Sequence, residues 1–356
     1  MHHIAIVTIN QPSLDSAYRL SLYLKDYEID IYTKKGLKHN FEKVIYYKKL
    51  DDILPSLWGN LKKSKETKKY DAIIFLLAIG AVVRKIAPFL KDKTKDPAIL
   101  VMNLALDRVV PLLGGHLAGA NEFSNIIASR IDGCVNFIST ATDQTNTLSF
   151  EMLAKEREWI ICNIKPLAKI SNRLINKQKV KVATYPKIFD SIPNKENLKL
   201  INLMDTSKKN VYFNISDTVI IAPSNKFMNN LWLSPPVYLG IGCNRDTPYE
   251  IINKAFELFL EEHCLSRFQI KNIASFILKE REKGLLEFAR ENEFRIVFYD
   301  DYDINALQNE FSESASTKFF GIKGVAEPCS LLLSDYKELI FKKEVYFNSV
   351  TIAGAL

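Results

Sequence analysis

The stretch Arg108-Val-Val-Pro-Leu-Leu-Gly-Gly-His-Leu-Ala-Gly-Ala-Asn-Glu-Phe123 decides how the chain reads. The apolar run Val109–Leu113 has the pattern of a buried strand. Gly114 and Gly115 break it, and glycine both accepts positive φ and lets a backbone come close to a ligand. His116 stands at the turn. From Leu117 the period changes: Leu117, Ala120, Phe123, Ile127 and Ile131 fall on one helical face. A strand, a Gly-Gly-His turn and a helix N-terminus follow one another, and such an N-terminus offers N–H groups to an anionic or carbonyl ligand. The same residues also read as a tight turn whose glycines only permit packing. A histidine beside two glycines in a turn is expected to bury little.

Upstream, residues 3–9 read as a first strand. Pro12 and Ser13 open a helix with Leu14, Ala17, Tyr18 and Leu24 inward, and Ile29–Tyr32 is the next strand. This βαβ start predicts a sheet that is parallel at its centre. Asp71–Leu77 is nearly all apolar, as a strand covered on both faces is. Gly80 then leads into a short helix bearing Arg84 and Lys85 before Pro88. Ligands of open α/β sheets bind at the strands' C-terminal ends. Ala98–Asn103 and Arg108–Leu113 read as a hairpin. Cys134–Ile138 reads as another buried run, ending in Ser139-Thr140-Ala141-Thr142-Asp143. That hydroxyl-rich end suits a site rim and a helix cap equally.

Residues 151–236 alternate lysines, asparagines and short apolar runs, with strands expected at Leu200–Leu203 and Thr218–Ile221 and a linker at Pro235-Pro236. A fresh start follows. Val237–Ile241 reads as a strand, Gly242–Arg245 as a turn and Thr247 as a helix N-cap, with Pro248 first in the helix and Glu250 completing a capping box. Gly-Ile-Gly-Cys243 lacks a dinucleotide fingerprint but suits a ligand cradle. Lys283-Gly284 and Gly324–Leu331 begin helices. Glu327 in the second of them complements the helix dipole or serves a site. The fold class expected is α/β in three domains: 1–150 with the Gly-Gly-His motif, a small middle α/β domain at 151–236, and 237–356.

Composition narrows the function classes. With 356 residues, 47% hydrophobic and 25% charged, the chain has material for two or three ordinary cores. No apolar run reaches the ~20 residues a bilayer span needs, and the N-terminus has no signal-peptide pattern. The five cysteines (Cys134, Cys162, Cys243, Cys264, Cys329) are dispersed and form no Cys-x-x-Cys pair, so neither a metal site nor a disulfide framework is expected, and a reducing cytoplasm is the simplest setting. The formal net charge of +7 favours acidic partners. No RNA-binding or helix-turn-helix signature accompanies it, so nucleic acid is not expected. No Walker loop, zincin motif or nucleophile elbow is present.

Taken together, Ala78-Ile-Gly-Ala-Val-Val-Arg-Lys-Ile-Ala-Pro88, Asp96-Pro97-Ala98, Gly114-Gly-His-Leu-Ala-Gly-Ala-Asn-Glu122 and Thr140-Ala-Thr-Asp143 resemble the N-terminal domain of cobalt-precorrin-5A hydrolases of anaerobic cobalamin biosynthesis. Gly240-Ile-Gly-Cys243, Asn272-Ile-Ala-Ser275, Lys283-Gly-Leu-Leu-Glu287, Gly324-Val-Ala-Glu327 and Ser349-Val-Thr-Ile-Ala353 resemble that family's C-terminal, corrinoid-binding domain. Asn244, Asp246, Gln144 and Thr145 depart from the family's usual pattern. The resemblance implies a hydrolase whose substrate is cobalt-precorrin-5A. It opens the δ-lactone on ring A and releases the C20 unit as acetaldehyde, giving cobalt-precorrin-5B. His116 is then the expected base, suited by histidine's ordinary pKa of about 6.5, and Asp143 its orienting partner or the base itself. Arg84, Lys85 and Arg245 are expected carboxylate clamps. Gly114, Gly115, Asn121, Glu122, Thr140, Thr142, Gly242, Cys243 and Glu327 complete the expected substrate contacts, in a cleft between the two end domains. No cofactor and no protein metal are expected, because cobalt arrives in the substrate. Neighbouring methyltransferases of the pathway and a second copy of the chain are the expected partners. The alternatives are a non-catalytic corrinoid carrier or scaffold and a nucleotide-binding regulator.

Overall fold

Ile4, Ala5, Ile6 and Val7 are all fully buried. Strand β1 (His3–Val7) therefore carries helices on both faces, as a run without polar alternation demands. The structure, a computed structural model, describes residues 3–39, 44–58, 70–91, 95–139, 147–205, 217–223, 229–312 and 321–356. The chain divides into two compact units, Met1–Asn146 and Thr147–Leu356.

In the first unit β1 is followed by α1 (Gln11–Tyr23), β2 (Glu28–Lys34), β3 (Val44–Tyr47), α2 (Leu50–Leu57), β4 (Ala72–Phe75), α3 (Ile79–Ile86), β5 (Ala98–Met102), β6 (Arg108–Leu113), α4 (Ala120–Arg130) and β7 (Val135–Asn136). One seven-stranded sheet results, in the order β3-β2-β1-β4-β5-β6-β7. Its first five strands are parallel, as the βαβ start requires. Ile4 and Ile6 pack with Leu14, Ala17 and Leu20 of α1 and Phe123 and Ile127 of α4. Ala5 and Val7 pack on the opposite face with Ile53, Leu54 and Leu57 of α2 and Val82 and Ile86 of α3. Helix α1 is started by Asn10, whose side chain accepts from Ser13 N at 3.0 Å while Ser13 Oγ accepts from Asn10 N. Tyr18, expected inward, is 48% exposed, and Leu20 occupies the core instead.

β6 runs antiparallel to β5, pairing Leu113 with Ile99. The expected hairpin is therefore formed, and it delivers Gly114 beside the start of β5, at the N-terminal end of the parallel strands. β7 pairs parallel with β6 and ends the sheet order. Its surroundings correct the expected buried run at 134–138. Val135 is 55% and Phe137 67% exposed, because a terminal strand has one neighbour and lacks the cover a central one has.

The second unit contains α5 (Phe150–Glu156), β8 (Ile160–Asn163), α6 (Leu167–Ile175), β9 (Val180–Thr184), α7 (Pro186–Ser191), β10 (Leu198–Asn202), β11 (Thr218–Ile221), β12 (Leu231–Ser234), β13 (Val237–Cys243), α8 (Tyr249–Glu262), β14 (Ile270–Phe276), α9 (Lys283–Glu291), β15 (Ile296–Tyr299), α10 (Asp301–Ala306), α11 (Ala326–Leu333), β16 (Leu339–Tyr346) and β17 (Val350–Ala355). They build two five-stranded sheets, β10-β9-β11-β12-β8 and β15-β14-β13-β17-β16. One apolar core runs through both, from Leu153, Ile170, Val182 and Leu233 to Val237, Leu239, Phe259 and Ile352. Pro235 and Pro236, expected as a linker, are accordingly buried. Polar ties cross the same junction: Gln269 Nε2 donates to Ser234 Oγ at 2.7 Å, and Lys271 Nζ donates to Glu158 at 2.9 Å.

Candidate functional site

The Gly-Gly-His turn is closed by its own carbonyls. Ala120 N donates to Gly114 O at 3.1 Å, Asn121 N to Gly115 O at 3.0 Å and Gly119 N to His116 O at 3.1 Å. The expectation that the start of α4 offers these amides to a ligand is thereby corrected: the turn itself satisfies them, leaving the helix end capped. Gly114 has φ +69, and a Cβ on it would lie 2.7 Å from Ala118 Cβ and 3.0 Å from the Pro97 carbonyl oxygen. A Cβ on Gly115 would lie 2.8 Å from Asn121 Oδ1. Both glycines therefore serve close packing of the turn, Gly114 against Ala118 and Pro97 and Gly115 against Asn121.

His116 and Asn121 are each only 8% exposed, which corrects the expectation that a turn histidine buries little. Glu122 is exposed in the first turn of α4. Asp96 is buried, and its two oxygens accept from Lys91 N at 3.0 and 3.2 Å. That bond fixes the chain before Pro97, whose carbonyl meets Gly114. The structure thus brings Asp96-Pro97-Ala98, Gly114, Gly115, His116 and Asn121 into one neighbourhood, although the segments are separated in sequence. Thr140, Thr142 and Asp143 lie outside the described residues.

The expected clamps differ in availability. Lys85 Nζ pairs with Asp51 at 2.7 Å, so part of its charge is already answered. Arg84 Nη1 donates to Gly80 O one turn back, at 3.0 Å. Both stand in the last turn of α3, where a cation also complements the helix dipole.

In the second unit Gly242 and Cys243 belong to β13, not to a turn. Gly242 pairs with Thr351 and Cys243 with Val350. Gly240 and Gly242 lie two apart in the strand, hence on one face. A Cβ on Gly240 would fall 1.8 Å from Ala326 O, and one on Gly242 2.6 Å from Thr351 Oγ1. Their smallness seats α11 and β17 against β13. Burial pushes the Cys243 thiol up to about 11, so it is protonated at neutral pH. The turn proper begins at Asn244, whose N–H donates to Ser349 O at 2.9 Å. Thr247 is not the N-cap. Its hydroxyl donates to Asn244 O at 2.9 Å, closing the turn, and Pro248 precedes the helix.

Glu327 is 3% exposed. It accepts from Ser312 N at 2.7 Å, Ser312 Oγ at 2.8 Å and Lys343 N at 2.9 Å, tying α11 to β16 and to the chain at Ser312. Burial alone would raise its pKa, but the Lys343 and Ser312 donors outweigh burial and hold it below the ordinary 4.5. The stability it contributes is complete above that ordinary value and is lost as pH falls through the lowered one. Glu327→Gln is expected to cost about 1–3 kcal/mol at pH 7, since its amide NH₂ meets donors. Thermal unfolding from pH 7 to pH 3 should show the gap to wild type closing; a constant gap would mean that charge is not what matters there.

Two residues that sequence reading passed over complete the picture. Lys279 and Glu282 pair at 3.0 Å beside the 244–248 turn. Their three-residue spacing before Lys283-Gly284 was the available signal, and it is indistinguishable from an ordinary surface pair. Among the described residues no group of three or more His, Cys, Asp or Glu is placed to hold a metal, and no helix is long and apolar enough to cross a membrane.

Fold and site define a three-sheet α/β protein with a buried turn histidine in its N-terminal unit. Residues 64–143 match the family described as cobalamin synthesis G N-terminal, and residues 237–355 match cobalamin synthesis G C-terminus. The chain belongs to the cobalamin synthesis G family. It is 26% identical to a cobalt-precorrin-5A hydrolase of Priestia megaterium, over 99% of this chain and 94% of that one. It is 28% identical to a cobalt-precorrin-5A hydrolase of Salmonella typhimurium, over 74% and 76%. A crystal structure of a cobalamin biosynthesis protein G homolog from Sulfolobus solfataricus aligns with 99% of this chain and 96% of its own, at 23% identity and a TM-score of 0.38.

Proposed function

We propose that this protein is a cobalt-precorrin-5A hydrolase. The observation that carries the reading is the match along nearly the whole chain to a relative of that name. The buried His116 in its glycine turn supplies a suitable reactive group. In the proposed reaction water adds to the carbonyl of the ring A δ-lactone, and the C–O bond breaks to give a carboxylate and an alcohol. A base then takes the proton of that hydroxyl, the oxygen's electrons form the aldehyde C=O as the adjoining carbon–carbon bond breaks, the bond's electron pair passes to the macrocycle, which takes up a proton, and the two-carbon unit leaves as acetaldehyde. In this reading His116 is the base and Asp143 orients it, or Asp143 is the base itself.

The developing oxyanion falls to the backbone N–H groups of Leu117 and Ala118 in this reading, those of Gly119, Ala120 and Asn121 being engaged. Asn121 and Glu122 contact the substrate in this reading, and Arg84 answers its carboxylates. Cobalt enters as part of the substrate.

Incubation with cobalt-precorrin-5A and trapping of the volatile aldehyde tests the reading. One acetaldehyde per substrate consumed is expected. Tight binding with no acetaldehyde would make the protein a carrier instead.

A further inference from the structure

β13 and β14 are adjacent and parallel, so the loops that follow them emerge at the same sheet end, where open α/β sheets place their ligands. The first loop carries Arg245 and the second carries Lys279 and Glu282. Glu282 joins them: one carboxylate oxygen accepts from Asp246 N at 2.9 Å and the other from Lys279 Nζ at 3.0 Å. This side chain is only 12% exposed and that of Lys279 only 20%, well below an ordinary surface pair.

Asp246 has φ +58, in the left-handed region that a non-glycine residue enters at a cost. The Glu282 bond holds it there. On the other side Asn244 N is held by Ser349 O. Arg245 is thus fixed at both neighbours while its own side chain is exposed and, among the described residues, makes no hydrogen bond or ion pair. Lys279 keeps two further N–H donors beyond the one given to Glu282. Arg245 also acts on the half-buried Glu282 carboxylate through its charge.

We propose that Arg245 and Lys279, set in place by Glu282, form a binding site for the carboxylate fringe of an anionic tetrapyrrole. The ligand class rests on the proposed function. Glu282 is a positioning residue: it touches the loop and the lysine, and leaves the guanidinium free to meet the ligand.

The charge of Glu282 makes the proposal separable from simple electrostatics. Removing an acid beside two cations should tighten anion binding if bulk charge is all that counts. If positioning counts, Glu282→Ala should weaken it, because Asp246 N loses its acceptor and the loop is released. Glu282→Gln keeps an acceptor for Asp246 N and should rescue binding.

The probe is uroporphyrin, a stable metal-free tetrapyrrole bearing acetate and propionate side chains, titrated into the full chain and followed by its fluorescence. Arg245→Ala and Lys279→Ala are each expected to raise Kd about tenfold, the scale of one lost charge-assisted contact, and to flatten its dependence on salt. Glu282→Ala should raise Kd by a similar factor and Glu282→Gln should return it to within about twofold of wild type. Unchanged Kd in both cation variants, Glu282→Ala binding as tightly as wild type, or no binding by wild type would each overturn the proposal. A wild type that binds uroporphyrin through these residues yet releases no acetaldehyde from cobalt-precorrin-5A would refute the hydrolase reading and support this site.

Discussion

His116→Ala is expected to lower acetaldehyde release from cobalt-precorrin-5A by at least about 100-fold, the usual scale for losing a general base. The side chain is buried in a turn where Gly114 and Gly115 are packed to contact with Ala118, Pro97 and Asn121. An alanine therefore leaves a void as well as removing a base, and a cost of about 1–3 kcal/mol in stability accompanies the change. His116→Gln separates the two effects. It restores most of the volume and can hydrogen-bond, but it does not take up a proton at neutral pH. If His116 is the base, both variants lose turnover alike, while Glu282-dependent binding of uroporphyrin in the second unit is retained. A Gln variant with near-normal acetaldehyde release would remove His116 from the chemistry and leave Asp143 as the base.

The parts of the fold written in local periodicity were legible. Ala120, Phe123 and Ile127 do form the inward face of α4, with Ile131 packed just past its end, whereas Leu117 falls in the turn before the helix; the unbroken apolar run of β1 does lie between two helical layers. What periodicity records is which face of an element is covered. It does not record where a strand falls in the sheet order, so the apolar residues of β7 read as core although the sheet ends there. Glycine is ambiguous for a related reason. Gly242 is small because Thr351 and Val325 crowd it, and both lie far along the chain, so the strand glycine reads as a turn. Pro235-Pro236 reads as a linker because its burial is set by two sheets sharing one core.

At the site the sequence singled out His116 and its glycines. It did not show that the turn's carbonyls take up the first amides of α4, because those bonds join backbone atoms and leave no trace in residue type. Lys279 and Glu282 were missed because an i, i+3 pair is common on any surface. Only their low exposure and the bond to Asp246 N set them apart.

Gly240→Ala is expected to be among the most destabilising single substitutions in the second unit. Its Cβ would stand 1.8 Å from Ala326 O, 2.7 Å from Ser330 N and 2.8 Å from Ala326 C. All three are backbone atoms of α11, so no side chain can swing aside, and the helix must move by more than about 1 Å to restore van der Waals contact. That shift is opposed on several sides. Glu327 anchors the first turn of α11 to Ser312 and Lys343. Cys329 in the same helix is fully buried with Ala274, Phe276 and Ile322. Overpacking against a held backbone should cost about 3 kcal/mol, which for a unit of this size lowers Tm by roughly 6–12 °C. Gly80→Ala is the control. It lies within α3, where its Cβ would meet only the Arg84 guanidinium, at 3.4 Å. Alanine there should be neutral or stabilise by up to about 1 kcal/mol, because helical backbone costs alanine less conformational entropy than glycine. Calorimetric unfolding of the two variants beside wild type makes the comparison. A Gly240→Ala protein melting within about 2 °C of wild type, under 1 kcal/mol on the same scale, would show that α11 does not sit on β13 at this distance.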